Sequence, residues 1–66
     1  MKNNIRVERA ILRITQQQLA EMIGVSRQTI NAIESEKYVP STVLALKIAK
    51  VCNKQVNDIF FLEDTD

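Results

Sequence analysis

Side chains that form directional hydrogen bonds cluster directly after a serine near the middle of the chain. Arg27, Gln28 and Asn31 follow Ser26 at spacings that would put all three on one face of a helix. An arginine can donate two hydrogen bonds to guanine O6 and N7, and a glutamine can pair with adenine N6 and N7. Taken alone, such a polar face is more often simply solvated. The residues that flank this polar face must therefore indicate whether it contacts base edges.

Other kinds of site chemistry find little support. The chain has no histidine and a single cysteine, Cys52, which lies in an apolar helical pattern and has no cysteine partner for a disulfide. The acidic residues are scattered, so no pair of carboxylates and no nucleophile with a base can be assembled. No cluster of histidine or cysteine could hold a metal. We therefore expect no enzyme, no cofactor and no small-molecule ligand.

The elements that would position the polar face lie within residues 15–34, TQQQLAEMIGVSRQTINAIE. Thr15 is a good helix N-cap, and Gln18 stands three residues on, where it can complete a capping box. Gly24 occupies the place where a helix ends in a left-handed conformation, and Ser26 can cap a second helix. A helix, a glycine turn and a second helix with a polar outer face form the arrangement of a DNA-reading helix-turn-helix.

A first helix is predicted from about Ile5 to Arg13, with a buried side that includes Ile5, Ala10 and Leu12. Arg9 lies on or beside this stripe, so its guanidinium needs a partner at the buried edge. Glu34, at the end of the second helix of the motif, is the candidate. The alternative is that Arg9 is a solvated surface charge. A partly buried pair would fix how the helices dock even if it stabilised them little.

Two further helices are predicted after Pro40. Ser41 can cap a fourth helix over Thr42–Cys52, with an inward stripe of Ala45, Leu46, Ala49 and Cys52. A short fifth helix fits Val56–Phe60, with Val56 and Ile59 buried. The apolar run Phe60–Leu62 follows, and it can either cap the core or form a dimer surface. An antiparallel pairing of about Lys2–Asn4 with Phe60–Leu62 would serve both purposes.

Length and charge bound the remaining possibilities. The chain has 66 residues, which fits a single domain over residues 1–66 near the lower limit for independent folding. No apolar run approaches the roughly 20 residues that span a bilayer, and no signal peptide is visible. We therefore expect a cytoplasmic protein with no membrane partner.

The net charge is only +1, but without the acidic end Glu63, Asp64 and Asp66 it becomes +4. A moderately basic body permits phosphate binding.

With these residues in place, the chain resembles the Cro/repressor, or XRE-like, family of helix-turn-helix regulators. The resemblance runs from Ile5 to Phe60 and rests on the ordered combination of TQQQLAEMIGVSRQTINAIE, KYVPS, LALKIAKVC and VNDIF. It implies an all-α, compact five-helix bundle of the phage-repressor DNA-binding type. It also implies a recognition helix in the major groove of double-stranded DNA and binding as a homodimer to a two-fold symmetric operator.

Site residues follow from the resemblance position by position. It implies base reading by Arg27, Gln28 and Asn31, and backbone phosphate contacts by Gln16, Ser26, Thr29, Lys37 and Tyr38. It also implies a structural ion pair between Arg9 and Glu34. The sequence departs from the family at Glu36, where glycine or asparagine is usual. A left-handed conformation there would cost about 1–2 kcal/mol, which puts the turn after the recognition helix in question.

The expected function is therefore that of a sequence-specific transcriptional regulator, and of a repressor in particular. A homodimer would double the contacts of so small a domain and bury the terminal apolar cluster. The residues expected at that interface are Val56, Ile59, Phe60, Phe61 and Leu62. The alternative is an antitoxin-like or anti-repressor-like module that keeps the fold and binds chiefly protein. The weak net charge and the terminal apolar cluster favour this alternative slightly.

Overall fold

The computed structural model describes all 66 residues and contains five helices and one pair of short strands. The helices are α1 Ile5–Leu12, α2 Gln16–Ile23, α3 Arg27–Glu34, α4 Thr42–Cys52 and α5 Val56–Ile59. Strands β1 (Lys2–Asn3) and β2 (Phe60–Phe61) pair antiparallel, with Lys2 opposite Phe61 and Asn3 opposite Phe60. The predicted five-helix bundle with paired ends is thus confirmed. No helix is long and apolar enough to cross a bilayer, the longest having 11 residues.

The core is one apolar cluster to which all five helices contribute. Its six largest fully buried side chains are Ile5, Leu19, Ile30, Ile33, Ile48 and Ile59, five of them isoleucine. The inward faces predicted for α2 and α3 are confirmed, because Leu19, Ala20, Ile23, Ile30 and Ile33 are all buried. The motif helices therefore bury the faces that their apolar periodicity indicated.

The inward faces predicted for α1 and α4 were partly wrong. Ala10 and Leu12 of α1 are exposed, because its buried side runs through Ile5 and Glu8. In α4, Leu46 is 57% exposed and Ile48 is fully buried. The true stripe has the spacing i, i+3, i+4, i+7 from Ala45, which places Leu46 well outside it.

A buried carboxylate joins α1 to the end of α4. Glu8 is almost completely buried, and its Oε2 lies 2.9 Å from Nζ of Lys54. A charge can be buried in this way only when it is paired. Burial, with a smaller contribution from the Glu8 charge, raises the pKa of the nearby Cys52 thiol. Cys52 is therefore a protonated, buried thiol with no reactive character.

Four of the five helices are followed within two residues by a residue of left-handed conformation, although only one of these is glycine. The residues are Arg13 (φ 58°), Gly24 (φ 77°), Glu36 (φ 65°) and Asn53 (φ 54°). After each, the next backbone N–H donates to the carbonyl five residues earlier, at 2.9–3.1 Å, in the bonds Ile14 to Arg9, Val25 to Ala20, Lys37 to Ala32 and Lys54 to Ala49. This is the six-to-one bond of the Schellman motif.

The strand pair closes the bundle and is tied to α3. Asn3 of β1 accepts a hydrogen bond from the Ile5 N–H at 3.2 Å and donates one to the Ile33 carbonyl at 2.9 Å. Phe60 is 8% exposed and caps the core, whereas Leu62 beyond the strand is 82% exposed. The acidic end folds back along β1, with carboxylates of Glu63 and Asp66 3.3 Å and 3.2 Å from the Met1 ammonium.

Candidate nucleic-acid interface

Both motif helices begin with a formed N-cap. The Thr15 hydroxyl accepts from the Gln18 N–H at 3.0 Å, and the Gln18 side chain accepts from the Thr15 N–H at 2.8 Å, which completes the capping box. The Ser26 hydroxyl accepts from the Thr29 N–H at 3.2 Å at the start of α3. Gly24 provides the left-handed turn between the helices. These caps satisfy N–H groups that would otherwise lack partners, so the start of α3 is well defined.

The outer face of α3 carries the three candidate base-reading residues. Arg27, Gln28 and Asn31 are all exposed, while Ile30 and Ile33 on the opposite face are buried. Asn31 lies four residues after Arg27 and three after Gln28, so the three side chains share one side of the helix. Arg27 takes part in none of the ion pairs of the chain. Its guanidinium is free to donate to a ligand.

A buried carboxylate stands behind this face. Glu34 accepts from Arg9 Nε at 2.6 Å and from Arg9 Nη2 at 3.0 Å, which is a bidentate pair between α3 and α1. Arg9 also donates to the Ile14 carbonyl at 3.2 Å. Burial alone would raise the pKa of Glu34, but the hydrogen bonds from Arg9 and Gln16 outweigh it and lower that pKa. Glu34 therefore remains ionised and holds α3 against α1.

Gln16, expected to contact a phosphate, is engaged within the protein. Its Nε2 lies 3.2 Å from Oε1 of Glu34 and 3.2 Å from Oδ1 of Asn31. The first residue of α2 is thus connected to the exposed face of α3. Ser26 and Thr29 are also engaged with each other, because their hydroxyl oxygens are 3.0 Å apart. One of the two hydroxyl protons remains available to an acceptor such as a phosphate.

Lys37 and Tyr38 lie in the loop after α3, and both side chains are exposed. Their backbone N–H groups donate to the Ala32 carbonyl at 2.9 Å and 3.2 Å. The turn before them therefore forms even though Glu36 takes the left-handed conformation without being glycine. The turn after α3 thus has backbone strain at Glu36.

Arg6 belongs to the same region and was missed from the sequence. Its Nε lies 3.6 Å from Oε1 of Glu34, yet its side chain is 74% exposed. The available signal was its spacing, because Arg6 and Arg9 are three residues apart and share one side of α1. Arg6 thus places an exposed positive charge beside Gln16.

The candidate surface offers no pocket for a small ligand. The largest depression of the protein, about 700 Å³, lies between α4 and α5 and is lined by none of the α3 residues. The structure holds no group of three or more histidine, cysteine or acidic side chains placed to bind a metal ion. An exposed helix face with free donors is suited to a groove of a larger partner.

Comparisons with known proteins agree with this geometry. A family model described as helix-turn-helix matches residues 5–59. The chain is 52% identical over 66 residues to an uncharacterized HTH-type transcriptional regulator of Methanocaldococcus jannaschii, covering 100% of both chains. It is 47% identical over 64 residues to the uncharacterized HTH-type transcriptional regulator YgzD of Bacillus subtilis, covering 97% of each. An uncharacterized HTH-type transcriptional regulator of Archaeoglobus fulgidus is 44% identical over 66 residues, covering 94% of that relative. The chain therefore belongs to the XRE-like (Cro/repressor) helix-turn-helix family of transcriptional regulators.

Proposed function

We propose that residues 1–66 act as one sequence-specific DNA-binding domain that represses transcription as a homodimer on a two-fold symmetric operator. The observation that carries this proposal is the outer face of α3. Arg27, Gln28 and Asn31 are exposed together on a helix whose opposite face is buried and whose N-terminus is capped. A rigid helix with convergent donors is what a major groove requires.

Each base-reading residue has a distinct role. Arg27, at the start of α3, would donate to O6 and N7 of guanine, and Gln28 would pair with N6 and N7 of adenine. A good pair of either kind discriminates by about 1–3 kcal/mol. The N-terminal end of a recognition helix lies deepest in the groove, so these two positions would dominate sequence preference.

Contacts to the DNA backbone would position α3 without specifying sequence. Lys37 and Tyr38 are exposed just after α3, and Arg6 is exposed beside Gln16, so both ends of the motif offer donors. Only one of the Ser26 and Thr29 hydroxyl protons is used in the bond between them, so the other provides a further donor at the N-terminus of α3. That terminus also carries a partial positive charge that favours phosphate.

Dimerisation would place two copies of α3 about 34 Å apart, one on each half-site. Ile59 and Phe60, two of the residues expected at the interface, are buried in the core of the chain itself and have no surface to offer a partner. The proposed contact therefore narrows to Phe61 and Leu62, with half-buried Val56 at its margin. A dimer seated on an operator would block transcription by occupying the site.

Selection of bound duplexes from a random pool at two salt concentrations tests this function. We expect enrichment of an inverted repeat with half-site centres about 10 base pairs apart. Affinity should fall steeply as salt rises, because each neutralised phosphate releases counterions. Absence of any enriched sequence at low salt would overturn the proposal.

One observation favours a second candidate, a protein-interaction module on the same fold. Leu62 is 82% exposed and adjoins partly exposed Phe61, while the net charge is only +1. Such a module would bind a protein partner through apolar surface. Its affinity would barely respond to salt, in contrast to DNA binding through several phosphates.

A further inference from the structure

Glu34 determines the direction of the hydrogen bonds around it. Its side chain is completely buried and is held by Arg9 at 2.6 Å and 3.0 Å. An ionised carboxylate can only accept hydrogen bonds. The Gln16 atom 3.2 Å from Oε1 of Glu34 must therefore be the amide nitrogen, which fixes the orientation of that amide.

The same nitrogen fixes a second amide. Gln16 Nε2 has two hydrogens, and its second acceptor is Oδ1 of Asn31 at 3.2 Å. The oxygen of Asn31 is thereby held towards α2. The amide nitrogen, on the other branch of the planar group, is left on the exposed side of α3 with two donors and no acceptor in the chain.

On the basis of the proposed function, we propose that Gln16 is a positioning residue that makes Asn31 present its amide nitrogen to the DNA. The operator base facing Asn31 must then offer an acceptor, which means guanine O6 or N7, adenine N7 or thymine O4. Cytosine presents only its N4 donor and is disfavoured there, and the N6 donor of adenine finds no acceptor on Asn31. A freely rotating asparagine would instead pair bidentately with adenine.

This inference changes the role expected for Gln16. Both of its N–H donors are used within the protein, one by Glu34 and one by Asn31. Gln16 can donate to a phosphate only by releasing one of them. Gln16 therefore affects recognition through Asn31, and its removal should change base preference and not merely affinity.

Operators that differ at a single base pair test this inference. The relevant pair is the one at which Asn31→Ala abolishes preference. There, wild-type protein should favour guanine over cytosine by about tenfold, within the range of a good base contact, and should show no preference for adenine over guanine. Gln16→Ala should reduce that preference to about twofold or less, because the Asn31 amide can then turn over. Gln17→Ala is the matched control, since Gln17 lies on the same helix and bonds only Glu21, at 3.0 Å.

Two results would overturn the positioning role. One is a Gln16→Ala variant that loses affinity equally for all four bases, as a phosphate contact would. The other is a wild-type protein that prefers cytosine, or prefers adenine over guanine, at this position.

A measurement without DNA tests the hydrogen bonds themselves. By NMR, the side-chain amide protons of Gln16 should exchange with water measurably more slowly than those of Gln17. Equal exchange would overturn the inference. If exchange is slow but no duplex is bound, the proposed function fails. If duplexes are selected but Gln16→Ala keeps the wild-type base preference, the positioning role alone fails.

Discussion

The side-chain amide of Asn3 donates to the backbone carbonyl of Ile33 at 2.9 Å. Asn3 belongs to β1, and Ile33 is the penultimate residue of α3, so the strand pair made by the two ends of the chain holds the C-terminal end of α3. The same side chain accepts from the first N–H of α1 at 3.2 Å. One asparagine thus joins β1 to the start of α1 and to α3, which lies 30 residues further along the chain.

Asn3→Ala should lower the free energy of unfolding by about 1–3 kcal/mol, because it removes two hydrogen bonds and leaves the Ile33 carbonyl without this donor. Urea denaturation measures the loss. Asn4→Ala is a suitable control, since Asn4 makes no capping hydrogen bond with its side chain. Equal losses in the two variants would show that the Asn3 bonds contribute nothing.

Glu36→Gly should raise the free energy of unfolding by about 1 kcal/mol. Glu36 has φ 65°, a conformation in which its Cβ is strained and a glycine is not. Thermal or urea unfolding provides the measurement. Glu36→Ala keeps the Cβ while removing the charge, so it should give no such gain. A comparable gain from alanine would mean that the carboxylate, and not the backbone, is unfavourable.

Stability should fall in acid partly through Glu34. Its pKa in the folded chain is lowered from the ordinary value of 4.5, with hydrogen bonds from Arg9 and Gln16 outweighing burial. A lowered pKa contributes stability in full above the ordinary value, and this contribution is lost as pH falls through the folded value. Glu34→Gln should cost about 3 kcal/mol at pH 7, since one partner of a buried pair is removed, and progressively less towards pH 2. Unfolding curves of the wild-type and Glu34→Gln proteins across this pH range provide the measurement. A difference in their free energies of unfolding that did not change with pH would refute the assignment.

Arg27→Ala and Gln28→Ala should each relax specificity at one base position per half-site, by about 1–3 kcal/mol. Both side chains are exposed, so stability should change by no more than about 0.5 kcal/mol. Competition binding against operators with single changes gives the readout. Lys50→Ala removes an exposed cation from α4 and should leave base preference intact. If Arg27→Ala and Gln28→Ala both kept the wild-type base preference, this face of α3 would not be the one that reads bases.

Leu62→Glu should yield monomer and weaken operator binding. Leu62 is 82% exposed, so the chain itself should fold normally with the new charge. Sedimentation velocity reports the oligomeric state. Met22→Glu places the same charge on another exposed apolar residue, 58% exposed on α2, and should not affect assembly. A Leu62→Glu protein that still sediments as a dimer would place the interface elsewhere.

The motif itself was predictable because its signals are local. Thr15 with Gln18, Gly24, and Ser26 are caps and turns that act within four residues, and the structure forms each of them. The Arg9–Glu34 contact, although 25 residues apart, was accessible because Arg9 stood on a buried stripe where a charge needs a partner. The all-α bundle was implied by the family resemblance, and the terminal strand pairing was predicted from the apolar run Phe60–Leu62.

The features that could not be predicted from the sequence depend on contacts between elements that are distant along the chain. In α4 apolar residues occur at nearly every helical phase, so periodicity alone could not choose between Leu46 and Ile48. Glu8 and Lys54 are 46 residues apart and carry no local sign of their pairing. Phe60 was assigned to α5 and to the dimer surface, but it lies in β2, where pairing with Asn3 turns it into the core.

The prevalence of isoleucine in the core restricts how α3 can adapt. A side chain branched at Cβ has one strongly preferred χ1 rotamer in a helix. Ile30 and Ile33 both stand on the buried side of α3, within a closely packed interior. Rolling α3 about its own axis would carry both side chains out of their places in the core, and neither could compensate by changing its rotamer. In the proposed complex, accommodation of an imperfect operator would therefore come from the long side chains of Arg27 and Gln28, or from bending of the duplex.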